Sequence, residues 1–165
     1  EKIIKRVLED KARFERELRI RQQQETLKTK SFKALKGQLP WPAEGRIISK
    51  FGRQWNPKLK TTTENPGIDI KGKPGSSIRT VLGGVVTTIT YIRGYGTTII
   101  VDHGGGFYTV YSHVTNIQTN VDSQVRNGDV IAYMGDSGSI NGSKLHFEIW
   151  GKGQKLDPER WLRKK

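Results

Sequence analysis

Few residues of this sequence could do chemistry: it has three histidines, His103, His113 and His146, and no cysteine. His146 lies in Ser-Lys-Leu-His-Phe-Glu-Ile-Trp, residues 143–150, which has the composition of a β-strand. Because alternate side chains of a strand share one face, Lys144 and His146 should be neighbours. Two histidines at this spacing would form a metal or acid–base pair, but here a lysine places a cation in one of the two positions.

An acid on a second predicted strand could join them. Asp69 follows a Pro-Gly turn and stands between two isoleucines, so its side chain should point away from their face. His113 closes another predicted strand. Aspartate and histidine on separate strands have the composition of a divalent-metal site, although each residue by itself is more often structural. His103 is predicted to lie in a hairpin turn and to have no chemical role.

Composition limits the classes of partner. Of 165 residues, 33% are hydrophobic, mean hydropathy is −0.63, and 29 Lys and Arg against 16 Asp and Glu give a formal charge of +13. The excess is shared, since residues 1–36 hold 12 basic and 6 acidic residues. This charge favours nucleic acid, an acidic membrane surface, a cell-wall polymer or an acidic protein, without choosing among them. The missing cysteines exclude disulfides and Cys-ligated zinc, and no apolar run approaches transmembrane length.

The elements that position these residues begin with a helix. Residues 1–36 lack Gly and Pro and carry a narrow apolar stripe, interrupted at Lys11 and fading towards Arg21 and Glu25: Ile4, Val7, Phe14 and Leu18. The pattern is typical of the end of a coiled coil, or of a solvated helix that packs locally. Since the chain starts in mid-pattern without Met, we interpret it as a piece of a longer protein. Gly37 and Pro-Trp-Pro at residues 40–42 end the helix.

From residue 45 onward, short β-rich runs alternate with glycine turns. Residues 91–98 and 101–110 each join two strand candidates through a glycine turn and predict hairpins. Strand number and spacing predict an all-β sandwich or barrel of roughly 100–120 residues. The final segment, residues 156–165, is predicted to be a short turn or helix held down by Trp161 and Leu162.

The order and the amino-acid sequences of these segments resemble those of a known family. "GRIISKFG", "NPGIDI", "VLGGVVTTI", "GYGTTIIVDHGGGFYTVYSHV", "VRNGDVIAYMGDSGSINGSKLHFEIW" and "LDPERWL" resemble the LytM-type domain of the M23 zinc metallopeptidases, over about residues 38–162. The resemblance implies two antiparallel sheets in a hybrid β-sandwich, preceded here by the coiled-coil-like helix. It divides the chain into a helical segment, 1–36, and a LytM domain, 37–165. Members of the family cut peptide cross-links of peptidoglycan.

The resemblance also assigns roles. The family's H-x-G-x-D motif supplies two zinc ligands and falls on residues 65–69, where Asn65 replaces the histidine and Asp69 remains. Its H-x-H motif falls on residues 144–146, so the third ligand is His146 and the catalytic neighbour is Lys144. The second catalytic histidine corresponds to His113.

These replacements predict a site without metal. An amide oxygen is a weak zinc donor, and a zinc enzyme needs three protein ligands and an open position. A lysine cation about 4 Å from Zn²⁺ would be repelled by about 8 kcal/mol at an effective dielectric constant near 20. We therefore expect a non-enzyme with no cofactor, in which Lys144 replaces the missing charge beside Asp69.

Within the family, metal-free domains that follow a coiled coil and end in a "(D/N)P…WL" tail resemble EnvC-like activators. The resemblance implies an exported, periplasmic protein that activates a cell-wall amidase during daughter-cell separation, with its coiled coil contacting a membrane complex of the division machinery. Peptidoglycan is a second candidate partner, and nucleic acid is not expected. The partner-binding groove is predicted to contain seven residues: Arg53, Asn65, Asp69, His113, Lys144, His146 and Trp150.

Three rival interpretations remain open at this point. The domain could be an active zinc endopeptidase that tolerates Asn65 and Lys144. It could be a binding module for glycan or peptide stems of peptidoglycan. The run Val-Arg-Asn-Gly-Asp-Val-Ile at residues 125–131 also resembles lipoyl carriers, but such carriers modify a lysine at a hairpin tip and Lys144 is predicted inside a strand.

Overall fold

The computed structural model describes residues 2–137, 139 and 142–165, and within the first helix it leaves the side chains of residues 21–31 undescribed. Helix α1 spans Lys2–Ala34 and α2 spans Pro158–Trp161. Thirteen strands lie among the described residues: β1 Arg46–Ser49, β2 Gly52–Asn56, β3 Thr61–Asn65, β4 Ile68–Lys71, β5 Ser77–Arg79, β6 Gly84–Ile92, β7 Gly96–Gly104, β8 Phe107–Ser112, β9 Val114–Thr115, β10 Gln124–Val125, β11 Val130–Met134, β12 Lys144–Gly151 and β13 Gln154–Leu156.

The strands form one large sheet, one small sheet and a separate hairpin. The large sheet has the order β1-β4-β12-β8-β7-β6-β10, with β13 paired to β12, and the small sheet has the order β5-β11-β9. Every pairing is antiparallel. The predicted mainly-β class and the hairpins β6–β7 and β7–β8 are confirmed. Among the described strands, β2 and β3 pair only with each other, so a two-stranded ribbon is added to the two expected sheets.

The core lies between the two sheets and explains the alternation in the sequence. Ile70 and Phe147 of the large sheet and Ile131 and Met134 of the small sheet belong to one continuous buried cluster. In β12, Leu145, Phe147 and Ile149 enter this cluster, so the residues between them lie on the opposite face. That opposite face is where the candidate chemistry is positioned.

The two helices meet beside this core. Phe32, near the end of α1, is fully buried and stacks on Phe107 with ring centroids 4.7 Å apart. Trp161 of α2 lies 5.3 Å from the Phe32 ring, and Asp157 caps α2 by accepting a hydrogen bond from the Glu159 amide at 3.1 Å. The predicted anchoring of the last segment by Trp161 and Leu162 is confirmed, since both are buried. The last turn of α1 shares the core of the β-domain, and a boundary after residue 36 stays a prediction.

The described side chains in the first half of α1 are open to solvent. All described side chains at residues 2–20 are exposed, including the apolar stripe, where Ile4, Val7 and Phe14 are 60–66% exposed. The expected fading of the stripe at Arg21 and Glu25 lies outside the described side chains. Neither described helix is both long and apolar enough to cross a membrane.

Candidate functional site

The groove face of β12 carries a row of polar side chains, at Lys144, His146 and Glu148. All three are nearly buried, with 9%, 2% and 9% of their surfaces exposed. The antiparallel register places His146 opposite Asp69 of β4, which brings the two predicted strands together. Asp69 projects away from its buried isoleucine neighbours, as its position in the sequence predicted.

These four side chains form one ion-paired cluster. The His146 ring contacts two carboxylates, with Nδ1 2.7 Å from Asp69 Oδ1 and Nε2 2.7 Å from Glu148 Oε2. The Lys144 Nζ atom lies 3.5 Å from the second oxygen of Asp69. Glu148 Oε1 accepts a further hydrogen bond at 2.7 Å from the indole of Trp150. We call Asp69, Lys144, His146 and Glu148 the charged cluster.

The opposite charges within the cluster stabilise the ionised form of each of its side chains. Burial by itself lowers the pKa of His146, but hydrogen bonds and charges from Asp69 and Glu148 outweigh it and raise this pKa above its usual value. For Asp69, burial raises the pKa, while the hydrogen bond and charge of His146, followed by Lys144, bring it below the usual value. Glu148 behaves likewise, since bonds from His146 and Trp150 outweigh burial and lower its pKa. The carboxylate oxygens 2.7 Å from each ring nitrogen of His146 fit a protonated ring that donates to both.

Asn65 stands where the family's motif has a histidine, and its side chain supports the backbone. Asn65 donates from Nδ2 to the Ser49 hydroxyl at 2.9 Å, and its Oδ1 accepts from the Gly67 amide at 3.1 Å. Gly67 also needs its lack of a side chain, because a Cβ there would lie 2.1 Å from the Phe147 carbonyl oxygen. Asn65 therefore stabilises the turn that leads into Asp69 rather than offering a free atom to bind a metal ion.

The opposite wall contains His113 and Tyr95. His113 has a φ of 63° in the left-handed region, which costs on the order of 1 kcal/mol, and it is held there by two bonds. Its amide donates to the Tyr95 carbonyl at 2.8 Å, and its Nδ1 lies 2.8 Å from the Ser137 carbonyl. Burial lowers the pKa of His113, and the nearby charges of Lys144 and His146 lower it further. The Tyr95 ring lies 4.9 Å from the ring of His146.

A cavity of about 370 Å³ opens between these walls. The residues around it come from β1, β3, β4 and β12, from the β3–β4 and β6–β7 turns and from the junction of β8 and β9: Ser49, Thr63, Glu64, Asn65, Pro66, Asp69, Gly94, Tyr95, His113, Lys144 and His146. We call this cavity the groove. Its volume falls in the range of about 300–1,000 Å³ that is typical of binding sites.

The groove does not fit the zinc ion that the family resemblance implies. Both nitrogens of His146 point at carboxylates, so neither lone pair is available to a metal. Asn65 is bound to Ser49 and Gly67, and the ammonium of Lys144 takes the place beside Asp69. Within the described residues, no group of three or more His, Cys, Asp or Glu side chains is arranged to hold a metal ion.

The structure brings together five of the seven predicted groove residues, at Asn65, Asp69, His113, Lys144 and His146. Arg53 lies exposed on β2 and is not among the residues around the cavity. Trp150 reaches the cluster only through its bond to Glu148. His103 lies within β7 rather than in the turn, where its buried ring contacts the Gly83 carbonyl at 2.9 Å and the Thr109 hydroxyl at 2.7 Å.

Two participants were missed from the sequence. Glu148 follows His146 at i+2 in the same strand, and this spacing was a signal that placed it on the same face. Tyr95 lies in a turn between two glycines, and only the tertiary structure brings it to the groove. The groove is less basic than the net charge of the chain suggests, because Asp69, Glu148 and Glu64 offset its cations.

Comparison with known proteins places this fold and site in a family. Residues 63–158 match the model of Peptidase family M23. The chain is 33% identical over 129 residues to the murein hydrolase activator EnvC of Escherichia coli strain K12, covering 78% of this chain and 30% of that protein. It is 37% identical over 123 residues to the murein hydrolase activator NlpD of the same strain, covering 74% of this chain and 30% of that protein. The chain therefore spans about 30% of the length of these relatives.

A solved structure agrees on the fold. A zinc containing peptidase from Vibrio cholerae superposes with a TM-score of 0.69 at 21% identity, covering 76% of this chain and 40% of that one. At this identity the similarity shows the fold alone. The family model matches more than half of the sequence, the predicted resemblance is confirmed, and the chain belongs to Peptidase family M23.

Proposed function

We propose that this domain binds a peptidoglycan amidase through the groove and raises the activity of that amidase, without cutting peptidoglycan itself. The observation that carries the proposal is the charged cluster. The fold of the family is kept and a groove is present, while the residues at the family's zinc-ligand positions make ion pairs and support the backbone. A protein that keeps such a cleft without the metal donors is suited to binding.

Lys144 is the residue best placed to recognise the partner. Its ammonium has three donors, and the only ion pair it makes among the described residues is the 3.5 Å contact with Asp69, which is long for a hydrogen bond. Since its side chain is only 11% exposed and lies beside the groove, an incoming carboxylate would meet a largely desolvated cation. Such contacts contribute more to affinity than exposed ones. We expect an acidic residue of the partner to bind here.

The relatives support a regulatory role in the cell wall, because the proteins named above are murein hydrolase activators. The finer assignments belong to the proposal: an amidase as the target, action during daughter-cell separation, and a periplasmic location. We also propose that α1 continues into a coiled coil that contacts a membrane complex of the division machinery. Its exposed stripe supports this role, since Ile4, Val7 and Phe14 each have at least 60% of their surface open to solvent.

The test is release of dye from labelled peptidoglycan by an amidase of the same organism, with and without the chain. The chain alone is expected to release no dye and to contain no stoichiometric zinc by elemental analysis, whereas the mixture should exceed the amidase alone. Lys144→Met should reduce the stimulation, and Lys152→Met, which removes an exposed lysine from the turn after β12, should leave it unchanged. About one zinc per chain, with chelator-sensitive cleavage by the chain alone, would establish an endopeptidase instead. Binding to peptidoglycan without stimulation of any amidase would establish a binding module.

A further inference from the structure

The hairpin formed by β2 and β3 is the least buried part of the described β-domain. Its two strands pair with each other and with no other described strand. Every residue from 55 to 64 is exposed, so neither face of the hairpin packs on the core. Two-stranded hairpins without a covered face are marginally stable, and one that projects from a domain is usually stabilised by what it contacts. A five-residue strand extends this hairpin by about 17 Å.

The tip of the hairpin presents large apolar side chains to solvent. Trp55 is 62% exposed and Leu59 is 70% exposed, whereas the apolar residues of the neighbouring strand β4 are fully buried. The turn is ordered by Asn56, whose Oδ1 accepts from the amides of Lys58 at 3.0 Å and Leu59 at 3.2 Å. These hydrogen bonds define the conformation of the turn, and the turn places the Leu59 side chain in solvent.

Cations surround these apolar side chains. Arg53, Lys58 and Lys60 are all exposed, and Lys60 has a φ of 51° that fixes the end of the turn. The only acid between residues 50 and 64 is Glu64, at the base of the hairpin beside the groove. The tip thus combines tryptophan, leucine and two lysines without a nearby acid. Tryptophan prefers the interface between water and lipid, and lysines attract anionic headgroups.

We propose that the tip of this hairpin inserts into the headgroup region of an anionic lipid bilayer. Trp55 and Leu59 alone would bury at most a few hundred Å², since a large aromatic side chain buries about 150–250 Å², whereas a stable protein interface buries about 1,200–2,000 Å². Insertion at a bilayer surface needs only a few apolar side chains with flanking cations. Strand β3 leads from the tip to Thr63 and Asn65 beside the groove, so insertion would hold the groove close to the membrane surface.

The test is co-sedimentation of the whole chain with phosphatidylglycerol vesicles and with phosphatidylcholine vesicles. The wild type should bind the anionic vesicles, more weakly as salt is raised, and should bind the neutral ones at least tenfold less. The double variant Trp55→Ser, Leu59→Ser should lose at least tenfold in affinity. Because both residues are exposed, its melting temperature should stay near that of the wild type. The matched control is Tyr91→Ser on the β6–β7 hairpin, because Tyr91 is also exposed, at 67%. This variant should bind the anionic vesicles within twofold of the wild type.

A second readout separates the hairpin from α1, which also has exposed apolar residues. Brominated lipids should quench part of the tryptophan fluorescence of the wild type, and that part should be missing in Trp55→Phe. Equal binding by the wild type and the double variant, or quenching that survives in Trp55→Phe, would overturn the proposal. So would a double variant that binds vesicles normally but no longer stimulates an amidase, since the tip would then contact protein. Lys144→Met changes the groove and not the hairpin tip, so its effect on amidase stimulation is independent of the vesicle-binding result.

Discussion

The two faces of strand β12 are both buried, and they are stabilised in different ways. Leu145, Phe147 and Ile149 lie in the apolar core with no exposed surface, while Lys144, His146 and Glu148 lie on the other face with at most 9% exposed. On the first face, stability comes from apolar area removed from water. On the second, burial is unfavourable for each charge and is offset only by its neighbours. Stability of the groove face therefore depends on complete sets of partners.

The largest effect is expected on the apolar face. Phe147→Ala should lower the free energy of unfolding by about 3–5 kcal/mol, because it leaves a cavity beside Tyr111, whose ring lies 5.3 Å away. Urea unfolding at a fixed pH measures this loss. Phe147→Leu is the milder control. If Phe147→Ala cost less than Phe147→Leu, this face would not be packed as described.

On the charged face, Asp69→Asn should come next. It removes the carboxylate shared by Lys144 and His146, and breaking a buried pair costs about 3–5 kcal/mol, reduced here to about 2–3 because both partners are slightly exposed. Urea unfolding again measures the loss. The control is Asp102→Asn, whose carboxylate lies outside the charged cluster and accepts a hydrogen bond from the Gly104 amide at 2.8 Å. Equal small losses in both variants would mean that the cluster does not stabilise the fold.

The pH dependence should distinguish the two faces. The raised pKa of His146 means that its contribution is complete below the usual value of 6.5 and is lost as pH rises through the raised value. The lowered pKa values of Asp69 and Glu148 mean that theirs are complete above the usual 3.8 and 4.5 and are lost as pH falls through the lowered values. The cluster is thus at its strongest between pH 4.5 and 6.5.

Comparison of two variants at pH 5.5 and pH 9 tests this window. The stability difference between wild type and His146→Gln should be larger at pH 5.5 than at pH 9, because the contribution of charged His146 is lost as pH rises through its raised pKa. Phe147→Leu should lose the same amount at both values. A His146→Gln loss that does not change with pH would show that His146 is not charged in the fold.

Much of this arrangement could be read from the sequence, and the limits have physical causes. Alternation in residues 144–150 assigned both faces of β12, and the flanking isoleucines placed Asp69 on the groove face. Family motifs located His113 and Asn65, but Arg53 was placed only by its distance along the chain from a motif. Tyr95 reaches the groove through a turn whose path depends on tertiary packing, which local patterns do not encode.

The effect of substituting Lys144 also depends on contacts that only the structure shows. A position on the groove face predicts by itself that Lys144→Glu weakens partner binding with little effect on folding. Lys144 does lie beside the groove, but its side chain is only 11% exposed and its ammonium is 3.5 Å from Asp69. A glutamate would place two carboxylates together and lower stability. Lys144→Met removes the charge, leaves Asp69 bonded to His146, and should therefore lower the free energy of unfolding less than Asp69→Asn does.

The affinity of the amidase for Lys144→Met, measured by calorimetric titration beside the wild type and Lys152→Met, tests the central claim most directly. If the charged face of β12 is a binding surface, Lys144→Met should weaken the complex by at least about 30-fold, or about 2 kcal/mol, because a partner carboxylate is left unpaired. Lys152→Met should bind like the wild type. Equal affinity of all three chains, with Lys144→Met folded, would contradict the claim that the amidase binds at this face.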